Sequence, residues 1–344
     1  MKVVFDDAQK LHDPKFFLSS GAGKPNPEQP RRADILLEAA LRAGLERVVP
    51  DDYGLTPVAA VHTPEYLQFL KGIYERWMRI GEASEEVIPN IHPDRRDGAY
   101  PASAVGQVGY HVADTAAPIG RETWTSALRS AHSAVHAAEL VLNGEGSAYA
   151  LCRPPGHHAF RDLAGGFCFL NNAAIATQHL RRRYERVAII DVDLHHGNGT
   201  QGIFYDRADV LTVSIHAHPE RFYPFFWGYA DERGKGPGLG YNLNLPLPRK
   251  TGDEGFLRAL DCGLDRVAAF APDAVVIALG LDPSEADPLA GLAVTTRGFA
   301  EIAARLASLA LPTVIIQEGG YICPPLGDNL QSFLQRFRFV HRVS

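Results

Sequence analysis

An apolar, largely β-branched run, Val187-Ala-Ile-Ile190, leads straight into Asp191-Val-Asp-Leu-His-His-Gly197, and this junction constrains the fold more than any other stretch. A short apolar run without polar alternation reads as a strand buried on both faces, the kind found in parallel sheets covered by helices. Side chains alternate along a strand, so Asp191, Asp193 and His195 are expected on one face and Val192 and Leu194 on the other. Two carboxylates and an imidazole at the end of a buried strand need a counter-charge, and a divalent cation is the simplest one. A solvated strand end would show the same residues, but the hydrophobic approach argues for burial.

The rest of the chain supports that sheet. From about residue 145 onward, strand-like segments at 147–152, 187–193, 210–215, 274–281 and 312–317 alternate with helical ones at 172–183, 254–270 and 296–309. Residues 1–5 read as a further strand, and 33–44, 64–80 and 123–143 as helices around it. The pattern predicts an α/β protein: an open, mainly parallel sheet with helices on both faces. No composition shift or linker divides the chain, so residues 1–344 read as a single domain. The stretch at about 81–118, rich in Pro, Asp, Arg and Gly, is too long for an ordinary connection and reads as an insertion loop.

Composition removes several classes of function. A hydrophobic content of 46% supports a substantial core, and a net charge of −6 without a basic block makes nucleic acid a poor partner. The four cysteines, Cys152, Cys168, Cys262 and Cys323, are scattered without a C-x-x-C pair, which suits reduced thiols in a cytoplasmic enzyme. Neither a signal peptide nor a membrane span is legible, so a soluble cytoplasmic protein is expected. The Gly-rich run 234–240 precedes a strand at 241–245, the wrong order for a phosphate-binding loop.

Ligands of open α/β sheets bind outside the carboxyl ends of the strands. Four polar clusters fall at such ends: Arg153-Pro-Pro-Gly-His-His158, Asp193 with His195, Asp282, and Glu318-Gly-Gly-Tyr321. Asp193, His195 and Asp282 are the candidate metal ligands, with Zn²⁺, Fe²⁺ and Co²⁺ all compatible with two carboxylates and one imidazole. His157 and His158 are the candidate proton carriers. Asp191 is the expected partner of His157, and Asn198 that of His158; a carboxylate raises imidazole basicity and an amide does not. Tyr321 is placed to donate its hydroxyl to a carbonyl oxygen as charge develops there. The carboxylates Glu82, Glu85, Glu86, Asp94, Asp97 and Asp114 read as solvated loop charges.

Taken together, Arg153–His158, Gly165-Gly-Phe-Cys-Phe-Leu-Asn-Asn172, Asp191–Gly199, Gly280-Leu-Asp282 with Asp287-Pro288, and Glu318–Tyr321 resemble the arginase–deacetylase superfamily in its histone deacetylase-like branch. Residues 218–229, the Gly-rich run and Asn198 resemble the acetylpolyamine amidohydrolases within it. The resemblance implies an arginase–deacetylase fold and a zinc-dependent amidohydrolase that releases acetate from an N-acetylated amine: an acetylpolyamine, an acetylated diamine or an acetyl-lysine-like amide. It implies the same metal and proton-transfer residues, with Tyr321 polarising the carbonyl. It also implies a substrate channel at Phe167, Tyr223, Gly166, Gly319 and Gly320. A structural K⁺ held in part by Asp191, Asp193, His195 and Ser214, and a homodimer formed through the insertion loop, follow from it too.

Two rival readings remain. A ureohydrolase of the same fold needs a second metal, but His196-Gly197 and Pro283-Ser284 stand where its extra ligands would be expected. A catalytically silent acetyl-amine-binding protein would have lost Tyr321 or a metal ligand, and none is missing.

Overall fold

The computed structural model describes residues 1–343; Ser344, the end of the expected domain, lies outside the described residues, as do the side chains of 342 and 343. Ten strands form among the described residues: β1 (Lys2–Val4), β2 (Phe16–Ser19), β3 (Ala22–Pro25), β4 (Glu46–Val48), β5 (Ser147–Ala150), β6 (Val187–Asp191), β7 (Val210–Ala217), β8 (Asn242–Leu247), β9 (Ala274–Leu279) and β10 (Thr313–Gln317). Eight of them pair in the order β4-β1-β5-β10-β9-β6-β7-β8, every pairing parallel, while β2 and β3 make a separate antiparallel hairpin.

Successive residues of each central strand enter different cores, which is why these strands carry no polar alternation. Val4, Ile189, Val276 and Ile316 face one layer, made by α3 (Pro64–Trp77), α4 (Ala104–His111), α5 (Thr123–Leu142), α6 (Asn172–Leu180) and α7 (Asn198–Phe204). Val3, Ile190, Ile277 and Ile315 face the other, made by α1 (Arg31–Arg42), α8 (Asp253–Phe270), α9 (Thr296–Ala307) and α10 (Leu326–Val343). A short helix, α2 (Thr56–Ala59), precedes α3. Each of these buried Val and Ile side chains contributes roughly 1.5–3 kcal/mol.

The topology explains why the polar clusters meet. β5, β10, β9 and β6 are consecutive neighbours, so the four clusters that follow them rise side by side from one edge. Spacings of ~4.8 Å between neighbouring strands bring such groups within reach of one small ligand.

Several elements differ from the sequence reading. β6 stops at Asp191 and not at Asp193, because the backbone then folds onto its own carboxylates: Asp193 N–H donates to Asp191 Oδ1 (3.0 Å) and His195 N–H to Asp193 Oδ1 (2.8 Å). The stretch 81–118 is not all surface loop. It contains α4, capped by Ser103, and buries Val87, Val108, Val112 and Ala117 in the first core. Glu86 is buried as well, accepting the Lys15 N–H at 3.0 Å. The basic and aromatic residues near the C-terminus lie on α10, whose Phe333 and Phe337 pack into the second core. The hairpin, β4, α4 and α7 are too short for a periodic signal.

One buried ion cluster ties the N-terminal segment to the sheet. Glu28, fully buried, sits 3.1 Å from Arg32 Nη1 and 2.9 Å from Arg153 Nε, and both arginines are fully buried. Arg153 also donates to the carbonyls of Gln9 (2.7 Å) and His12 (2.6 Å), and Arg32 to those of Glu318 and Gly320. Glu28→Ala leaves two guanidinium groups uncompensated and is expected to cost about 3–5 kcal/mol of stability, read by urea denaturation. A loss under about 1 kcal/mol would show that the cluster contributes nothing net.

Candidate active site

The catalytic candidates stand on loops that short contacts hold rigid. After β5, Glu318 Oε2 accepts the N–H groups of Gly156 (2.6 Å) and His157 (3.1 Å), pinning the loop to the end of β10. Gly156 and Gly199 approach neighbouring backbone so closely that a Cβ at either would collide, with Asn172 N and Ala159 O respectively. That close approach seats the start of α7 under the histidine pair, where Thr200 N–H donates to the His157 carbonyl (3.0 Å).

His157 and His158 lie with ring centroids 4.0 Å apart and have unlike partners. His157 Nδ1 meets Asp191 Oδ2 at 2.9 Å, and His158 Nδ1 meets Asn198 Oδ1 at 2.7 Å. Burial opposes a charge on His157, but Asp193, Asp191 and Glu318 outweigh it and push its pKa up to about 10. Burial pushes His158 well below the usual histidine range, reinforced by the neighbouring charges of His157 and His195. The carboxylate partner thus makes His157 the more basic imidazole of the pair, and the amide partner leaves His158 the less basic.

Asp193, His195 and Asp282 offer ligand atoms that all lie within 4.8 Å of one another, and all three residues are buried. His195 Nδ1 faces both carboxylates, 3.3 Å from Asp193 Oδ1 and 3.1 Å from Asp282 Oδ2. The carboxylates are aimed by backbone donors, Gly319 N–H on Asp193 Oδ2 (2.8 Å) and Leu194 N–H on Asp282 Oδ1 (3.1 Å). A Cβ at Gly319 would collide with both carboxylates, so only glycine closes this side. Burial and the charge of Asp193 push the Asp282 carboxyl up, the response of acids crowded without room for water. This donor set fits a borderline divalent cation. A second buried group, His157, Cys168 and Glu318, fits one poorly, because burial holds the Cys168 thiol well above its usual range.

These residues open into a cavity of about 310 Å³ whose lining includes Phe17, Asp114, Gly166, Phe167, Tyr223, Phe225, Gly319 and Tyr321. Phe167 stands edge-on to Tyr321 (5.7 Å) and to Phe17 (5.8 Å), and Tyr223 edge-on to His158 (4.9 Å). The walls are tight at Gly166: a Cβ there would lie 2.5 Å from the His158 ring and 2.8 Å from the Tyr223 hydroxyl. Tyr321 is held by its own N–H on Asp287 Oδ2 (2.8 Å), and its hydroxyl is kept protonated by burial and by Asp282. Ser214 pairs with Asp191 across β6 and β7.

Two corrections fall here. Gly320 does not line the cavity; it turns with φ +107 against Leu281, and its carbonyl receives Arg32. Asp114 is no solvated loop charge: Oδ2 accepts the Tyr223 hydroxyl (2.7 Å) and the Gly166 N–H (3.1 Å), and Oδ1 the Ala116 N–H (2.8 Å). The local bond to Ala116 N–H does not distinguish Asp114 from any turn aspartate, and its partners in the cavity wall lie 52 and 109 positions away.

A narrow apolar shaft ending on a metal-grade donor set, paired imidazoles and a tyrosine is the layout of a hydrolase for extended amides. The chain belongs to the histone deacetylase domain family, which matches residues 26–337. It is 46% identical to an acetylpolyamine amidohydrolase of Burkholderia pseudomallei across 98% of both chains. It is 45% identical to acetylpolyamine amidohydrolase 1 of Pseudomonas aeruginosa, covering 99% of this chain and all of that one. The crystal structure of an acetylpolyamine aminohydrolase from Burkholderia pseudomallei superposes with a TM-score of 0.97 over 99% of both chains. The protein is a hydrolase acting on amide bonds.

Proposed function

We propose that this chain is a zinc-dependent acetylpolyamine amidohydrolase that cleaves the N-acetyl bond of small acetylated amines and releases acetate. The observation that carries this reading is the histidine pair with unlike partners, standing beside the Asp193–His195–Asp282 triad at the end of an apolar shaft. When bound by those three residues, the cation would acidify water and polarise the acetyl carbonyl. Neutral His158, its Nδ1 engaged by Asn198, presents Nε2 to take the proton of the attacking water. Protonated His157, steadied by Asp191, returns a proton to the departing amine. The Tyr321 hydroxyl donates to the carbonyl oxygen as it becomes negative. The rings of Phe167, Tyr223 and Phe17 flank an alkyl chain, and Asp114 at the wall supplies an acceptor for an ammonium or amide N–H farther along it.

Three further features belong to the same reading. Asp191, Asp193, His195 and Ser214 would hold a structural K⁺ beneath the triad, and the stretch 81–118, which exposes Ile91 and Tyr100, would meet its copy in a homodimer. The four unpaired cysteines fit a reducing, cytoplasmic setting, and no helix of the described residues is long and apolar enough to cross a membrane. The ureohydrolase reading is disfavoured, since His196 Nε2 bonds Gln201 Oε1 (2.9 Å) and Ser284 Oγ takes Asn329 Nδ2 (3.2 Å).

The test follows acetate release by zinc-loaded enzyme from acetylputrescine, acetylcadaverine, acetylspermine and an acetyl-lysine peptide. Turnover of the small amines supports the proposal; no acetate from any of the four, with zinc bound stoichiometrically, overturns it. Asp114→Asn removes the charge and leaves a single acceptor oxygen, which can serve Tyr223 and Gly166 or Ala116 but not both sides. It is expected to raise KM for the amines that carry a free ammonium about tenfold while leaving kcat within about threefold.

A further inference from the structure

The connection from β7 to β8 carries Tyr223 and Phe225 into the cavity wall, yet Phe225 and Phe226 are 47% and 85% exposed. So exposed a segment keeps one shape only if its far end is anchored. The anchor is a polar knot around Glu232. Glu232 Oε2 accepts the Gly228 N–H (2.9 Å), Gln201 Nε2 (2.6 Å) and Asn244 Nδ2 (3.2 Å). Gly228, at φ +104, is pressed onto His196 and His216, where a Cβ would lie 2.8 Å from each ring, and its carbonyl meets His216 Nε2 at 2.8 Å. Glu232's carboxylate thus joins the loop's own backbone to α7 and to β8. Gln201 lies one turn after Asn198, the partner of His158, so the channel wall and the catalytic histidine are referenced to the same helix.

We propose that Glu232 is a positioning residue that sets the channel wall: by tying the 228–232 end of this segment to Gln201, it acts with the Asp114–Tyr223 bond to hold Tyr223 beside His158 and so determines which acyl-amines fit. The proposal rests on the cavity being the acyl-amine channel described above. Glu232 touches neither the metal ligands nor the histidine pair, so its loss loosens substrate binding and leaves the chemical step in place. A neutral acceptor serves equally, because the knot needs lone pairs on one oxygen and no net charge.

The test compares wild type, Glu232→Ala, Glu232→Gln, Gln201→Ala and the double alanine variant by two readouts. Hydrogen exchange of the 222–232 amides is independent of turnover; kinetics on acetylputrescine reports fit. Glu232→Ala and Gln201→Ala are each expected to speed that exchange about tenfold or more and to raise KM about tenfold, with kcat within about threefold. Glu232→Gln restores both, and the double variant is at least as affected as Glu232→Ala, because Gln201 Oε1 also accepts from His196, Asn242 and Asn244. Unchanged exchange in Glu232→Ala overturns the proposal, as does a fall in kcat with KM unmoved. A wild type that releases no acetate ends the amidohydrolase reading instead, and the exchange arm still decides whether Glu232 holds the wall.

Discussion

Asp282→Ala is expected to abolish stoichiometric zinc binding and to lower acetate release on the order of a thousandfold or more. Losing a residue that only supports a metal ligand typically lowers metal affinity or activity about 10–100-fold, and loss of a direct donor exceeds that. Asp282 is fully buried, with Oδ2 toward His195 Nδ1 and Oδ1 held by Leu194 N–H, so truncation removes a charged oxygen pair aimed from two sides. Its removal also leaves Asp193 and His195 without the second carboxylate that the site was built around. Elemental analysis after dialysis reads the metal, and acetate release reads the activity. A variant that keeps one zinc per chain and near-normal turnover would remove Asp282 from the metal site.

Tyr321→Phe should lower kcat about 10²–10³-fold with little change in KM, the effect of deleting one donor that acts on developing charge. The substitution is conservative in shape. The ring keeps its contact with Phe167 at 5.7 Å and its place 5.3 Å from the Arg32 guanidinium carbon, and the Asp287 bond is to the main chain. Folding should therefore be unchanged, and any rate loss belongs to the hydroxyl. A kcat within about threefold of wild type would take Tyr321 out of the chemistry and favour a carbonyl polarised by the metal alone.

The site owes its legibility to where its residues sit. Asp191 closes the otherwise apolar β6 and Asp193 and His195 follow it, while His157, His158, Asp282 and Tyr321 follow on three other strands. Each is announced by the run before it, and a parallel sheet with its connections on both faces brings such ends together. The partners of the two histidines were legible for the same reason, since Asp191 and Asn198 belong to the segment that continues β6. Asp114, Gln201 and Glu232 had no such announcement. They lie in a connection, on a seven-residue helix and in a loop, and they act through residues remote in the chain.

The sequence by itself determined the α/β class, the two-sided burial of the strands and which polar residues stand at the strand ends, because hydrophobic period and strand-end position are local properties. It did not determine the strand order that makes β5, β10, β9 and β6 neighbours, the inward turn of Asp114 from a stretch rich in charge, or the departure of Gly320 from the cavity. Those were decided by tertiary packing. A side chain's environment there is set by partners more than a hundred residues away, and whether a carboxylate is solvated or buried depends on which backbone N–H and hydroxyl groups the folded chain brings to it.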